Sequence, residues 1–202
     1  LQGKYEEAEV IYRSSLTRAE GWLGPRHVST LKLVNFLALL LSDVADPEAV
    51  ALFRRALTGF EAVLGPSHPD TLSIVSNLAN FYADCGDLEE AAALYTRALK
   101  GLETSLGLNH PATCSTMNGL ASILAEMGKL DEAGPMFTKA LQGYEASLGA
   151  GHPETLASVH NLATMLLDLE QPEAAEALFR RALDGRESAL GKTHPATIAT
   201  VH

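Results

Sequence analysis

The eight residues LGPSHPDT at Leu64–Thr71 return as LGLNHPAT at Leu106–Thr113, LGAGHPET at Leu148–Thr155 and LGKTHPAT at Leu190–Thr197. A looser copy, LGPRHVST, stands at Leu23–Thr30. The Leu-Gly pairs lie 41, 42, 42 and 42 residues apart, and His27, His68, His110, His152 and His194 keep the same spacing. No other feature constrains the fold as strongly. Self-similarity at a fixed period of this size marks a stack of repeated supersecondary units.

Each unit reads as two helices. After Gly65, Leu72, Val75, Leu78 and Tyr82 fall at helical spacing and predict a first helix over about 69–84. The stretch CGDLEE then breaks the pattern, with Gly86 in the turn and Asp87 placed to cap the second helix. Ala91, Leu94, Tyr95, Ala98, Leu99 and Leu102 give that second helix a buried face. Gly107 ends it as an αL stop without a Cβ penalty. The first unit is one residue shorter in its turn, at VADPEA.

On this reading residues 1–24 are the second helix of a partial repeat. Residues 25–65, 66–107, 108–149 and 150–191 are four helix pairs, and 192–202 start a further repeat. The chain starts at Leu1 rather than methionine, as expected for a piece of a longer protein. One helix pair cannot bury both its stripes, whereas stacked neighbours can. The expected fold is therefore all-α, an α-solenoid of antiparallel helix pairs. Alanines recur where helices must approach (Ala79, Ala121 and Ala163; Ala91, Ala133 and Ala175), and Tyr95, Phe137 and Phe179 recur as their large counterparts.

That small–large alternation resembles the tetratricopeptide repeat. Leu78, Ala79 and Tyr82 match its first helix, and Ala91, Tyr95 and Ala98 match its second. The long period, SNLA at Ser76–Ala79, NGLA at Asn118–Ala121, HNLA at His160–Ala163, and RRAL at Arg54–Leu57 and Arg180–Leu183 are similar to the kinesin light chain type of repeat. The resemblance implies a right-handed superhelix whose first helices line a groove for a partner's peptide. The coiled coil by which a kinesin light chain pairs with its heavy chain has no counterpart in Leu1–Gly24, which reads as repeat.

Carrying the family's groove positions over gives four layers. They are Asn35, Phe36, Leu39 and Asp43; Ser76, Asn77, Asn80 and Asp84; Asn118, Gly119, Ser122 and Glu126; and His160, Asn161, Thr164 and Asp168. Asparagine disfavours helix interiors, so its recurrence calls for a role. Its amide suits either the backbone of an extended ligand or a bond to the neighbouring repeat. Asp43, Asp84, Glu126 and Asp168 put an acid near the end of every first helix, where it opposes the helix dipole. Family members that grip a terminal carboxylate place Lys or Arg there. The opposite sign here predicts a groove ligand carrying Lys or Arg, or else acids that cap the turn and face solvent. Phe36 and Leu39 make either a pocket or a packing surface for a further repeat, and Trp22 an exposed end cap, a contact to flanking sequence or a binding hot spot.

Composition narrows the function further. The net charge of −10 disfavours a broad nucleic-acid or anionic-membrane surface. No apolar run approaches the ~18 residues of a membrane span. Cys85 and Cys114 make no disulfide framework and suit a reducing, cytoplasmic setting as small semi-buried residues. Gly59, Gly101, Gly143 and Gly185 recur inside second helices, which predicts close packing there, and Arg55, Arg97, Lys139 and Arg181 recur as solvated or Glu-paired residues.

No phosphate loop, zinc spacing or nucleophile elbow is present. Five histidines in one slot of a stack stand at least ~8–10 Å apart, a helix-packing distance, so they cannot share one metal at ~2 Å. They are expected to be turn residues bonding backbone between repeats, with Ser67 or His68 capping the next helix. The expectation is a non-enzymatic interaction module without cofactor, acting as adaptor or scaffold. Two alternatives are a sensor array beside a nucleotide-binding switch in a larger protein and a solenoid that associates end to end.

Overall fold

The computed structural model describes residues 2–191 together with Thr197 and Ile198. His194 and most of the expected further repeat lie outside the described residues. Nine helices run through them: α1 (Gln2–Leu23), α2 (Val28–Ser42), α3 (Glu48–Leu64), α4 (Pro69–Asp84), α5 (Leu88–Leu106), α6 (Pro111–Glu126), α7 (Leu130–Leu148), α8 (Pro153–Asp168) and α9 (Pro172–Leu190). The chain divides into two compact units, Leu1–Ser105 and Leu106–His202.

In the first unit α2 packs on α1 and α3, and α4 packs on α3 and α2. The core is a continuous row of buried side chains, including Leu31, Val34, Leu37 and Leu41 of α2, Phe53 and Phe60 of α3, and Ile74 and Leu78 of α4. In the second unit α6 packs on α7, α7 on α8 and α8 on α9. Val159 of α8 is buried with Leu141 of α7 and Ala182 of α9. The recurring alanines at 79, 91, 121, 133, 163 and 175 are all fully buried, while Tyr95 and Phe137 are nearly so. The alternation of small and large thus lets the helix axes approach.

The repeated octapeptide is a helix-capping device. His27, His68, His110 and His152 each precede a first helix with extended backbone. Each accepts at Nδ1 from the backbone N–H two residues on, at 3.2, 3.1, 3.2 and 3.3 Å. An accepting Nδ1 places the ring proton on Nε2. The histidine rather than Ser67 is the cap because Pro69, with its fixed φ, occupies the first helical position directly after it. The expectation of a bond between repeats is corrected in the same way: the bond closes onto the histidine's own helix.

The hydroxyls of Thr71, Thr155 and Thr197 donate to the carbonyls of Gly65, Gly149 and Gly191 at 2.9, 2.8 and 3.0 Å, tying each helix start to the preceding helix end. Thr30 and Thr113 are buried in the same slot without such a partner among the described residues.

The glycine stops differ from expectation. Gly65, Gly149 and Gly191 have φ of 93°, 89° and 86° with ψ of 160°, 161° and 163°. That is not αL but the extended positive-φ region that only glycine enters readily. Gly107 shares the positive φ, at 88°. The turns inside repeats are the positive-φ bends of moderate angle, with Gly86 at φ 81° and Gly128 at 76°. In the same slot the first and fourth repeats carry Ala45 at φ 55° and Glu170 at φ 56°, where a Cβ is strained. The shortened first turn is compensated by Asp46, whose Oδ1 accepts from the Glu48 N–H at 2.8 Å.

The mid-helix glycines answer to one contact. A Cβ on Gly59 would sit 2.4 Å from Leu31, on Gly101 2.5 Å from Leu72, on Gly185 2.5 Å from Leu156, and on Gly143 2.5 Å from the Cys114 Sγ. Cys114 is therefore fully buried in the slot that leucine fills elsewhere, and Cys85 is exposed; neither is semi-buried. Arg55, Arg97 and Arg181 pair with Glu20, Glu61 and Glu145 of the preceding second helix. Such half-exposed pairs add little stability each but repeat at one register.

Candidate functional site

The side chains predicted for the groove lie in two groups, one in each unit. In the first unit the Asn77 Nδ2 donates to the Asn35 Oδ1 at 3.3 Å. Two amides from α2 and α4 thus join successive first helices. Asn80 is exposed, and its Oδ1 accepts from the Tyr95 hydroxyl. Burial, with the Asp84 charge adding to it, pushes the Tyr95 hydroxyl up to about 12, so it stays a donor. The Ser76 hydroxyl returns to the Leu72 carbonyl at 3.2 Å. Leu39 packs half-buried against the core. Phe36 remains 46% exposed, and its ring centre lies 6.3 Å from that of Tyr12 on α1.

In the second unit Asn118 is buried, and its Oδ1 accepts from the Ser158 hydroxyl at 3.2 Å. Three of the predicted asparagines therefore serve the joint between helices. Asn161 stays half-exposed beside Thr164, whose hydroxyl donates to the His160 carbonyl at 3.1 Å. The His160 ring meets Phe179 edge-on at 5.2 Å. Burial, and then the Arg186 charge, lowers its pKa below the ordinary imidazole value, so it is neutral at neutral pH.

The structure brings six predicted residues around one cleft of about 260 Å³: Ser122, Glu126, His160, Asn161, Thr164 and Asp168. Its apolar lining comes from Ala125, Phe137 and Met165. Sequence reasoning assigns Phe137 to the core, where it mostly is, and does not single out Ala125 or Met165. The signal is present in register, since Ala125 precedes Glu126 and Met165 follows Thr164.

The four recurring acids occupy equivalent ends. Asp43 is the residue that closes α2, while Asp84, Glu126 and Asp168 are the last residues of α4, α6 and α8. All four are exposed, and none enters an ion pair among the described residues. Among the described residues no three His, Cys, Asp or Glu side chains gather as metal ligands would. No described helix is long and apolar enough to cross a membrane.

A family model for the tetratricopeptide repeat matches residues 35–104, 70–133 and 113–188, overlapping stretches that together span most of the chain. The chain is a tetratricopeptide repeat protein. Solved structures with the same fold include nearly identical TPR-like repeats from Podosopora anserina, described as those of a kinesin light chain. They are 23% identical at a TM-score of 0.72, covering 94% of this chain and 90% of that one. BtubC (BKLC) from P. vanneervenii is 23% identical at 0.76, covering 96% and 77%. The apo form of the quorum sensor NprR from B. thuringiensis is 17% identical at 0.72, covering 99% of this tetratricopeptide chain and 54% of that one. A comparison with curated proteins gives no match. At these identities the solved structures establish the shared all-α repeat fold. Tetratricopeptide repeats generally serve as protein–protein interaction scaffolds rather than enzymes.

Proposed function

We propose that this chain is a non-enzymatic adaptor or scaffold that holds a protein or peptide segment on the faces of its first helices, and that the segment is rich in Lys and Arg. The observation that carries the reading is the run of exposed acids at Asp43, Asp84, Glu126 and Asp168, unpaired among the described residues. Each stands where the negative end of a helix dipole adds to its own charge. A cationic segment relieves that repulsion; an acidic one increases it. The net charge of −10 acts in the same direction at long range and speeds encounter with basic partners.

Polar groups beside the acids remain accessible to such a segment: the Asn161 amide in the second unit and, in the first, the Asn80 amide nitrogen, whose oxygen alone is engaged by Tyr95. Asn35, Asn77 and Asn118 spend their side-chain bonds on the stack instead. Phe36 adds an exposed apolar contact on the same helix that Asp43 closes.

A peptide array probed with the purified chain tests this. Basic peptides should bind best, with affinity falling as salt rises and in the variant D43N/D84N/E126Q/D168N. Preferential binding of acidic peptides, or no advantage for basic ones, refutes it. A second reading, a sensor array within a longer chain, draws support from NprR, of which the alignment covers only about half. Recovery of the flanking sequence, with a nucleotide-binding switch beside the repeats, would favour it.

A further inference from the structure

We propose that the cleft bounded by α6, α7 and α8 takes one cationic side chain of the partner segment, arginine ahead of lysine. This rests on the groove-binding reading above and names its anchor.

Size comes first. At about 260 Å³ the cleft falls just below the ~300–1,000 Å³ of pockets that hold small molecules or cofactors. It has room for a single long side chain. Its lining then matches such a side chain along its length. Ala125, Phe137 and Met165 offer an apolar wall for methylene groups. Glu126 and Asp168 supply two carboxylates, from different helices, to the same cleft.

Some acids of both units are neutralised within the fold. Glu9, Glu20, Glu48, Glu61, Asp70, Glu145 and Glu176 all have a basic partner. Glu126 and Asp168 have none among the described residues, and each ends a helix whose dipole disfavours it. A guanidinium between them would supply the missing charge.

A second observation is independent of the acids. The Nδ1 of His160, a residue lining the cleft, is buried without a hydrogen-bond partner among the described residues. Buried polar atoms are normally satisfied. In the tautomer with its proton on Nε2, that nitrogen would be an acceptor for an N–H. The burial that holds the imidazole neutral also prevents it from repelling a cation. A guanidinium carries five N–H donors in a planar fork, against three on an ammonium. Its fork can serve two carboxylates and the neighbouring Asn161 amide oxygen with directed N–H groups, which a point-like ammonium does less well. That is the basis for the preference.

The test uses basic peptides chosen from the array, each with its arginines changed singly to lysine or to citrulline, the neutral isostere. Binding is measured by calorimetry, and the Met165 methyl is followed by NMR in the methionine-labelled chain. At one position citrulline should cost at least ~10-fold in affinity, with lysine intermediate, and the Met165 signal should shift on binding of the arginine form only. The variant E126Q/D168N should erase the difference between arginine and citrulline. D84N, which changes an acid of the first unit, should lower affinity while keeping the difference. Tight binding by E126Q/D168N with the arginine preference intact overturns the subsite and leaves the groove reading standing. Failure of every basic peptide to bind overturns both.

Discussion

Alanine in place of Gly101 should destabilise the protein, although the same change in an open helix stabilises it. A helix-interior glycine costs ~1 kcal/mol against alanine, so the exchange begins with a gain of that size. Against it stands the added methyl group, whose carbon would lie 2.5 Å from the Leu72 Cδ1 and 3.0 Å from its Cδ2. Leu72 is 2% exposed and has little room to turn away. Overpacking a buried contact costs ~1–3 kcal/mol. The net expectation is a loss of ~1 kcal/mol, within ~0–2 kcal/mol.

Gly21 provides the contrast. It lies in α1, and nothing comes within 4 Å of its added Cβ, so Gly21→Ala should gain up to ~1 kcal/mol. A double-mutant cycle then isolates the contact. Leu72→Ala alone should cost ~2–5 kcal/mol. Combined with Gly101→Ala, the new methyl occupies part of the space released. The pair should therefore be more stable than the sum of its singles by ~0.5–3 kcal/mol. Urea unfolding followed by helical circular dichroism measures all five proteins. If Gly101→Ala stabilises as Gly21→Ala does, or the cycle closes without coupling, glycine is not there to let Leu72 in.

Three further outcomes are expected. His152→Ala should cost ~0.5–2 kcal/mol in the same assay by removing the cap on the Glu154 N–H, and His152→Asn should recover most of it. Ala45→Gly and Glu170→Gly, at φ 55° and 56°, should each raise stability by ~0.5–1 kcal/mol, whereas Gly86→Ala at φ 81° should lower it. His160, whose folded pKa is depressed by burial and by Arg186, binds its proton more weakly folded than unfolded. Its contribution is complete above the unfolded value near ~6.5 and is lost as pH falls below that. Melting temperatures from pH 7.5 to 5 should therefore drop more steeply in the parent than in His160→Leu.

Much of this architecture is legible in the amino-acid order alone. Pro69, Pro111 and Pro153 begin α4, α6 and α8 as the octapeptide predicts, and Asp84, Glu126 and Asp168 end them. These boundaries are local matters of fixed φ, capping and period, and sequence carries them well. The conformation of the stops is not legible, because αL and the extended positive-φ region both select glycine; only ψ near 160° separates them. The two roles open to asparagine are decided by which residue faces it one repeat away: Asn35 for Asn77, Ser158 for Asn118. That proximity spans about one period and depends on how successive helices rotate, which composition does not encode. The cleft is half legible for the same reason. Its polar rim follows from register, but Phe137 and Met165 look like any other buried position until the helices are placed.

The arginine–glutamate pairs have a consequence for how such a chain can be cut and rejoined. The histidine cap and the glycine–leucine contact both close inside one repeat, so they travel with it. The pairs Arg97–Glu61 and Arg181–Glu145 join a repeat to the one before it inside each unit. A repeat moved to a new place therefore carries its own internal fasteners but only half of its coupling. A recipient that supplies glutamate on one side and arginine on the other accepts the transplant in register. One that presents two like charges at that seam disfavours it, which makes the seam a rule of compatibility for recombined arrays.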